Sequence, residues 1–222
     1  MTLNAVIFDW AGTMVDFGSL APVDAMQRTF AHEGFDISED VVRRGMGLAK
    51  LDHVRFCLSQ PAVVQAWMER HGHAPGDTDV ARLFTALEPL MIEAGAARAM
   101  LIPGALETVR VLRSAGAKIG SSTGYTRTMM GPIADAAAAQ GYTPDIIVCA
   151  GETKAGRPSP LMAWKIMVEL GVYPASTVVK VDDAPAGIAE GKAAGCYTIG
   201  VAASGNGMGL ELAAYQALRE DD

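Results

Sequence analysis

An apolar run, Ala5–Phe8, ends in Asp9, and Gly12 and Thr13 turn the chain directly afterwards. A short run without polar interruption suits a strand buried on both faces, which is the environment of a parallel sheet. No similar run follows until about residue 117. From about 20 to 97 the spacing of apolar residues is helical, at 22–33, 38–45, a segment after Lys50, 62–71 and 78–97. Ser38, followed by Glu39 and Asp40, makes a helix start, because a hydroxyl cap and early carboxylates satisfy the free N–H groups and the helix dipole.

Beyond about 102, strands alternate with helices. Candidate strands are 117–121, 146–149, 177–181 and 197–201, separated by helices near 104–115, 126–140, 160–170 and 185–194. Gly116, Gly141, Gly171 and Gly195 fall just past those helices, where a left-handed residue closes a helix. Repeated βα units predict an α/β chain: a Rossmann-like parallel sheet core with an inserted α-helical cap domain. The core would comprise 1–16 and 98–222, and the cap 17–97.

Half of the 222 residues are hydrophobic and 19% are charged, enough apolar material for a proper core. The formal net charge is −7 and no basic cluster is present, which argues against nucleic-acid binding. The opening MTLNAVIFDW lacks a basic segment ahead of a long apolar stretch, so no signal peptide is expected. No run approaches the roughly 18 apolar residues of a membrane span, so no membrane partner is expected either. Cys57, Cys149 and Cys196 are odd in number and widely spaced, which suits a reducing cytoplasm better than a disulfide framework.

Asp9 would sit at the carboxyl end of its strand, where open α/β sheets hold their active sites. Position 11, two residues on, carries Ala in place of a second carboxylate. The segment GSSTGYTR, 120–127, offers small hydroxyls and backbone N–H groups to an anion at a strand-to-helix turn. Arg157 lies in AGRPSP and would balance negative charge there, although a loop arginine is ordinarily solvated. VVKVDDAPAG, 178–187, ends a strand in Asp182 and Asp183. Carboxylates converging with Asp9 would repel one another unless a hard cation such as Mg²⁺ lay between them. Within the insertion, MGLAKLDHV places Lys50 and His53 on one helix face among apolar residues. Such surroundings depress an amine's pKa and leave it able to attack a carbonyl.

DxxGT, the Ser/Thr strand end, the basic residue before proline and the DD strand end, in this order, resemble the haloacid dehalogenase superfamily. The combination DWAGTMVDFGSLAP, MGLAKLDHV, GSSTGYTR, AGRPSP and KVDDAPAGI resembles its phosphonoacetaldehyde hydrolase (phosphonatase) family, from residue 4 to about 207. The resemblance implies that Asp9 is the nucleophile toward phosphorus and Lys50 forms a Schiff base with the aldehyde of phosphonoacetaldehyde, assisted by His53 and Met46. Thr123, Gly124 and Tyr125 would bind substrate, and Arg157 would supply positive charge. Mg²⁺ would be held by Asp9, the Ala11 carbonyl and Asp183. Gly187 stands where some members carry a further acidic residue, which makes Asp182 a candidate replacement in the metal site. The resemblance also implies a homodimer; members continue past the point matching Asp222, so either the sheet lacks an edge strand or the sequence is cut short or diverged there.

Two other readings stay open on the residues. A magnesium-dependent phosphatase or phosphomutase would ordinarily carry an acid at position 11. A silent binding member of the fold would have no use for Asp9, Lys50 and Asp183 together.

Overall fold

The computed structural model describes residues 3–218. Strand β1 (Ala5–Phe8) leads into five helices, α1 (Ala21–Ala31), α2 (Glu39–Arg44), α3 (Lys50–Leu58), α4 (Pro61–His71) and α5 (Asp77–Ala97). Then come α6 (Ala105–Ser114), β2 (Lys118–Thr123), α7 (Arg127–Ala139), β3 (Ile146–Cys149), α8 (Leu161–Leu170), β4 (Val178–Asp182), α9 (Pro185–Ala194), β5 (Tyr197–Gly200) and α10 (Leu212–Gln216). The five strands form one parallel sheet in the order β3-β2-β1-β4-β5. This is the Rossmann-like core with a helical insertion after its first strand.

The chain leaves β1 toward β2 on one side and returns to β4 on the other, so the direction of strand order reverses at β1. Ligand crevices of open α/β sheets open at such a reversal, beyond the carboxyl ends of the strands. Phe8 is level with Ser121 on one neighbour and Val181 on the other. Asp9, Ser122 and Asp182 therefore lie side by side at this end of the sheet, and the Asp9 N–H donates to the Val181 carbonyl at 3.0 Å.

Alternation along β1 divides the core. Ala5 and Ile7 point to a cluster with Val148, Met162, Ala163 and Ile166. Val6 and Phe8 point the other way, into a cluster that continues through Met26, Phe30, Leu83, Leu87 and Met91 of the insertion. Successive strand residues face opposite sides of a sheet, so one strand serves both layers. The insertion thus shares apolar contacts with the sheet layer. Helix α5 packs on α7, where Gly95 leaves room for the Ile133 side chain.

Local signals behave as their chemistry requires. Ser38 accepts the Val41 N–H at the start of α2, and Gly171 and Gly195 close α8 and α9 at φ of 63° and 83°. Strand β2 runs two residues farther than its apolar pattern indicates, because Ser122 and Thr123 pair with Val148 and Cys149. Helix α10 and a 3₁₀ turn at Ala175–Thr177 have no counterpart in the periodicity reading. No helix among the described residues is long and apolar enough to cross a membrane.

Phe30 is fully buried in the insertion's share of the core. Phe30→Ala is expected to lower stability by about 3–5 kcal/mol in urea unfolding. Val168→Ala, at a residue 78% exposed, is expected to stay within about 0.5 kcal/mol. Equal effects at the two sites would contradict this core.

Candidate active site

The turn after β1 is built around an aspartate. The Trp10 carbonyl accepts the N–H groups of Thr13, Met14 and Val15, wrapping the chain tightly beneath Asp9. Gly12 has φ of 76°, and a Cβ there would overlap the Asp183 carboxylate, so only glycine serves. Asp16 and Ser19 also adopt left-handed φ, at 57° and 53°. Asp16 accepts the Ala21 N–H at 2.9 Å, which ties down the start of α1, and burial pushes its carboxyl up to about 6.

Asp9, Ala11, Met46, Lys50, Thr123, Gly124, Tyr125, Arg157 and Asp183 line one cavity, together with Ser19, Pro22, Gly47 and Ala184. The enclosed space is about 20 Å³, enough for roughly one water. Core and insertion meet here without slack. The Lys50 N–H donates to the Gly124 carbonyl at 3.1 Å, and a Cβ on Gly124 would overlap the Leu48 carbonyl. A Cβ on Gly47 would lie 2.8 Å from that of Ala184. The glycines of MGL and STG are what let the two parts touch.

Lys50 opens α3 and is only 4% exposed. Its ammonium lies 4.8 Å from the centre of the Tyr125 ring, a cation–π contact. Burial lowers the amine to about 8, against the pull of Asp9 and with the help of Arg157. His53, one turn along and fully buried, has Nε2 2.7 Å from the Val42 carbonyl. A carbonyl only accepts, so Nε2 carries the hydrogen and Nδ1 is left as an unpartnered acceptor. Burial, then the Lys50 charge, lowers this imidazole to about 3, so it is neutral.

Arg157 is not solvated; it is 3% exposed. Nη1 reaches Asp9 at 2.9 Å and the Gly47 carbonyl at 3.4 Å. Nη2 donates to the Ser122 carbonyl and hydroxyl and meets Asp182 at 3.3 Å, while Nε donates to Glu190 at 3.1 Å. All parts of the guanidinium are committed to protein groups, so Arg157 supplies charge and holds Asp9. Two of these partners, Ser122 and Glu190, escape the sequence reading, and so does Lys180 behind Asp182. Lys180 is fully buried and donates to Asp182 at 2.5 Å. Its signal was present, a lysine inside an apolar strand two residues before Asp182 and so on the same face. Glu190 also accepts the Ser122 hydroxyl at 2.9 Å, and its Oε1 is buried without a partner.

Asp9, Asp182 and Asp183 each place one oxygen within 4.8 Å of the others. Burial, then Asp182, raises Asp9 against the opposing effect of Arg157; burial, then Asp9 and Asp182, raises Asp183 well above the ordinary range. Asp182 goes the other way, because Arg157 and Lys180 outweigh its burial. A hard divalent cation fits such a set, because its charge would offset the repulsion among the three carboxylates. A Cβ on Gly187 would overlap the Asp182 carboxylate. A carboxylate at 182 therefore occupies the space that a side chain at 187 would need. The Asn206 N–H, in the loop after β5, donates to Asp183 at 2.7 Å.

Thr123 ends β2, and its hydroxyl accepts the Tyr125 N–H at 3.2 Å. Thr126 then caps α7, accepting the Met129 N–H. Hydroxyl, backbone turn and helix start follow one another at the cavity wall, an arrangement suited to oxyanions.

Comparison with known proteins agrees with this geometry. The haloacid dehalogenase-like hydrolase family matches residues 3–195. A phosphonoacetaldehyde hydrolase of Paraburkholderia phytofirmans is 47% identical over 208 residues, 94% of this chain and 78% of that protein. One from Bacillus cereus is 41% identical over 210 residues, covering 95% and 80%. The crystal structure of a phosphonoacetaldehyde hydrolase-like protein from Oleispira antarctica superposes with a TM-score of 0.98 at 42% identity, across 100% of this chain and 80% of that one. The chain belongs to the haloacid dehalogenase-like hydrolases, in the group whose curated members are named phosphonoacetaldehyde hydrolases.

Proposed function

We propose that the protein hydrolyses the C–P bond of phosphonoacetaldehyde to acetaldehyde and phosphate, with Asp9 and Lys50 as two covalent catalysts. One observation carries this reading: a buried lysine with a lowered pKa shares a cavity with the strand-end aspartate. The position that would carry a proton donor for an alkoxide is Ala11. A C–P bond has no electronegative oxygen to leave on, so the departing carbon must be stabilised. Neutral Lys50 adds to the aldehyde, and loss of water gives an iminium. Asp9 then attacks phosphorus, and the C–P electron pair moves into the iminium to form an enamine. No alkoxide forms, so no acid is required at position 11. Protonation of the enamine carbon and hydrolysis of the resulting imine release acetaldehyde and regenerate Lys50. Water hydrolyses the aspartyl phosphate.

His53, neutral and one turn from Lys50, would assist the amine, with Met46 lining the same cavity as Lys50. Thr123, Gly124 and Tyr125 would receive the phosphonate, and Arg157 would keep Asp9 in line and offset its charge. Mg²⁺ would be held by Asp9, the Ala11 carbonyl and Asp183, with Asp182 beside them. When bound it would lower the repulsion between the carboxylate and the phosphonate. A space of about 20 Å³ is too small for this substrate, so the cap, 17–97, would open on hinges near 17–21 and 97–103. The free thiols of Cys57, Cys149 and Cys196 suit a reducing compartment.

Phosphate and acetaldehyde release from phosphonoacetaldehyde tests the reading. Asp9→Asn and Lys50→Arg are each expected to cut turnover by at least roughly a thousandfold, the scale of losing a covalent group. Retained turnover in Lys50→Arg, or hydrolysis of phosphate esters in place of the phosphonate, would sink it. Only the neutral amine attacks, so kcat/KM is expected to climb about tenfold per pH unit below about 8 and level off above it. A profile flat across that range would remove Lys50 as the nucleophile toward the aldehyde.

A further inference from the structure

Helix α2 of the insertion reaches the core through Arg43, whose side chain is 14% exposed. Its Nη1 donates to the Gly18 carbonyl at 3.1 Å, the Asn206 carbonyl at 3.2 Å and the Asn206 side-chain oxygen at 3.1 Å. Nη2 donates to the Gly209 carbonyl at 3.3 Å, and Nε is held by Glu39 at 2.6 Å. Gly209 has φ of 65°, and a Cβ there would lie 2.8 Å from the guanidinium carbon. Carbonyls from two separate loops thus surround one planar fork, a geometry lysine cannot reproduce.

The bond is reciprocal, since Asn206 Nδ2 donates back to the Arg43 carbonyl at 3.0 Å. The same Asn206 donates its backbone N–H to Asp183. One residue therefore touches the insertion with its side chain and the carboxylate with its backbone. The loop is pinned further where the Ser204 hydroxyl donates to the Gly12 carbonyl at 2.8 Å and its carbonyl accepts the Gly18 N–H at 2.8 Å.

We infer that Arg43 is a positioning residue: it latches the insertion onto the 206–209 loop and, through Asn206, fixes the carboxylate of Asp183. Closing the cap and setting that carboxylate are then one event. Opening it frees Asn206 and lets Asp183 turn away, so full cation affinity belongs to the closed form. The inference rests on the reading of Asp183 as a cation ligand.

Mn²⁺ titration followed by electron paramagnetic resonance, with hydrogen exchange on the same full-length samples, tests it without using turnover. Arg43→Ala and Asn206→Ala are each expected to weaken Mn²⁺ binding about tenfold, the scale of one charge-assisted hydrogen bond. Each is expected to speed exchange in peptides spanning 43–50 and 202–209. Arg43→Lys should recover part of the loss, and the double variant should be no worse than either single one. Wild-type Mn²⁺ affinity in both alanine variants overturns the latch, even if their melting temperatures fall. Fully additive losses overturn it too. Should Arg43→Ala fail to fold, Asn206→Ala decides, because it keeps the backbone N–H on Asp183. If the unaltered protein binds no Mn²⁺, the cation reading of Asp183 fails. The exchange data then decide the latch, which unchanged rates in 43–50 and 202–209 overturn.

Discussion

The ion pair between Arg157 and Asp9 is the contact on which the rest of the site depends. It lies at the mouth of the sheet, away from bulk water, where an unpaired charge is costly and a paired one is fixed in place. Asp182 and Glu190 hold the guanidinium from the other side, and Lys180 holds Asp182. Arg157 and Lys180 together pair Asp9, Asp182 and Glu190. Removing Arg157 would take from Asp9 its buried ion-pair partner, a loss of about 3–5 kcal/mol.

Close approach is the second constraint. Gly12, Gly47, Gly124 and Gly187 each stand where a Cβ would run into a carboxylate, a carbonyl or a methyl group of the facing segment. Together they let β1, the insertion and the start of α9 converge on one small cavity. On the proposed reading, the Lys50 amine of the insertion and the Asp9 carboxylate of the sheet would act on the two ends of a short substrate, so that neither part would hold the chemistry alone.

Much of this was legible in the sequence because it depends on local pattern. Asp9, Asp182 and Asp183 follow apolar runs, and their register at the sheet end follows from strand pairing alone. Lys50 stood out by its apolar neighbours, and the structure buries it as that pattern implies. Ser122 and Glu190 were not legible, since their roles exist through each other, 68 residues apart, and through Arg157, 35 and 33 residues away. Arg157 was placed correctly near Asp9, but its commitment to protein groups depends on packing that no motif encodes. Arg43 and Asn206, 163 residues apart, carry no local signal at all.

In the proposed reaction the aldehyde is bound covalently by Lys50 while Asp9 takes the phosphoryl group. Borohydride reduction in the presence of phosphonoacetaldehyde, followed by mass mapping of the digested chain, tests the first half directly. The predicted result is a stable two-carbon adduct on the peptide containing Lys50, formed in the wild-type protein and lost in Lys50→Arg. An unmodified Lys50 in a sample that is still turning over substrate would contradict it.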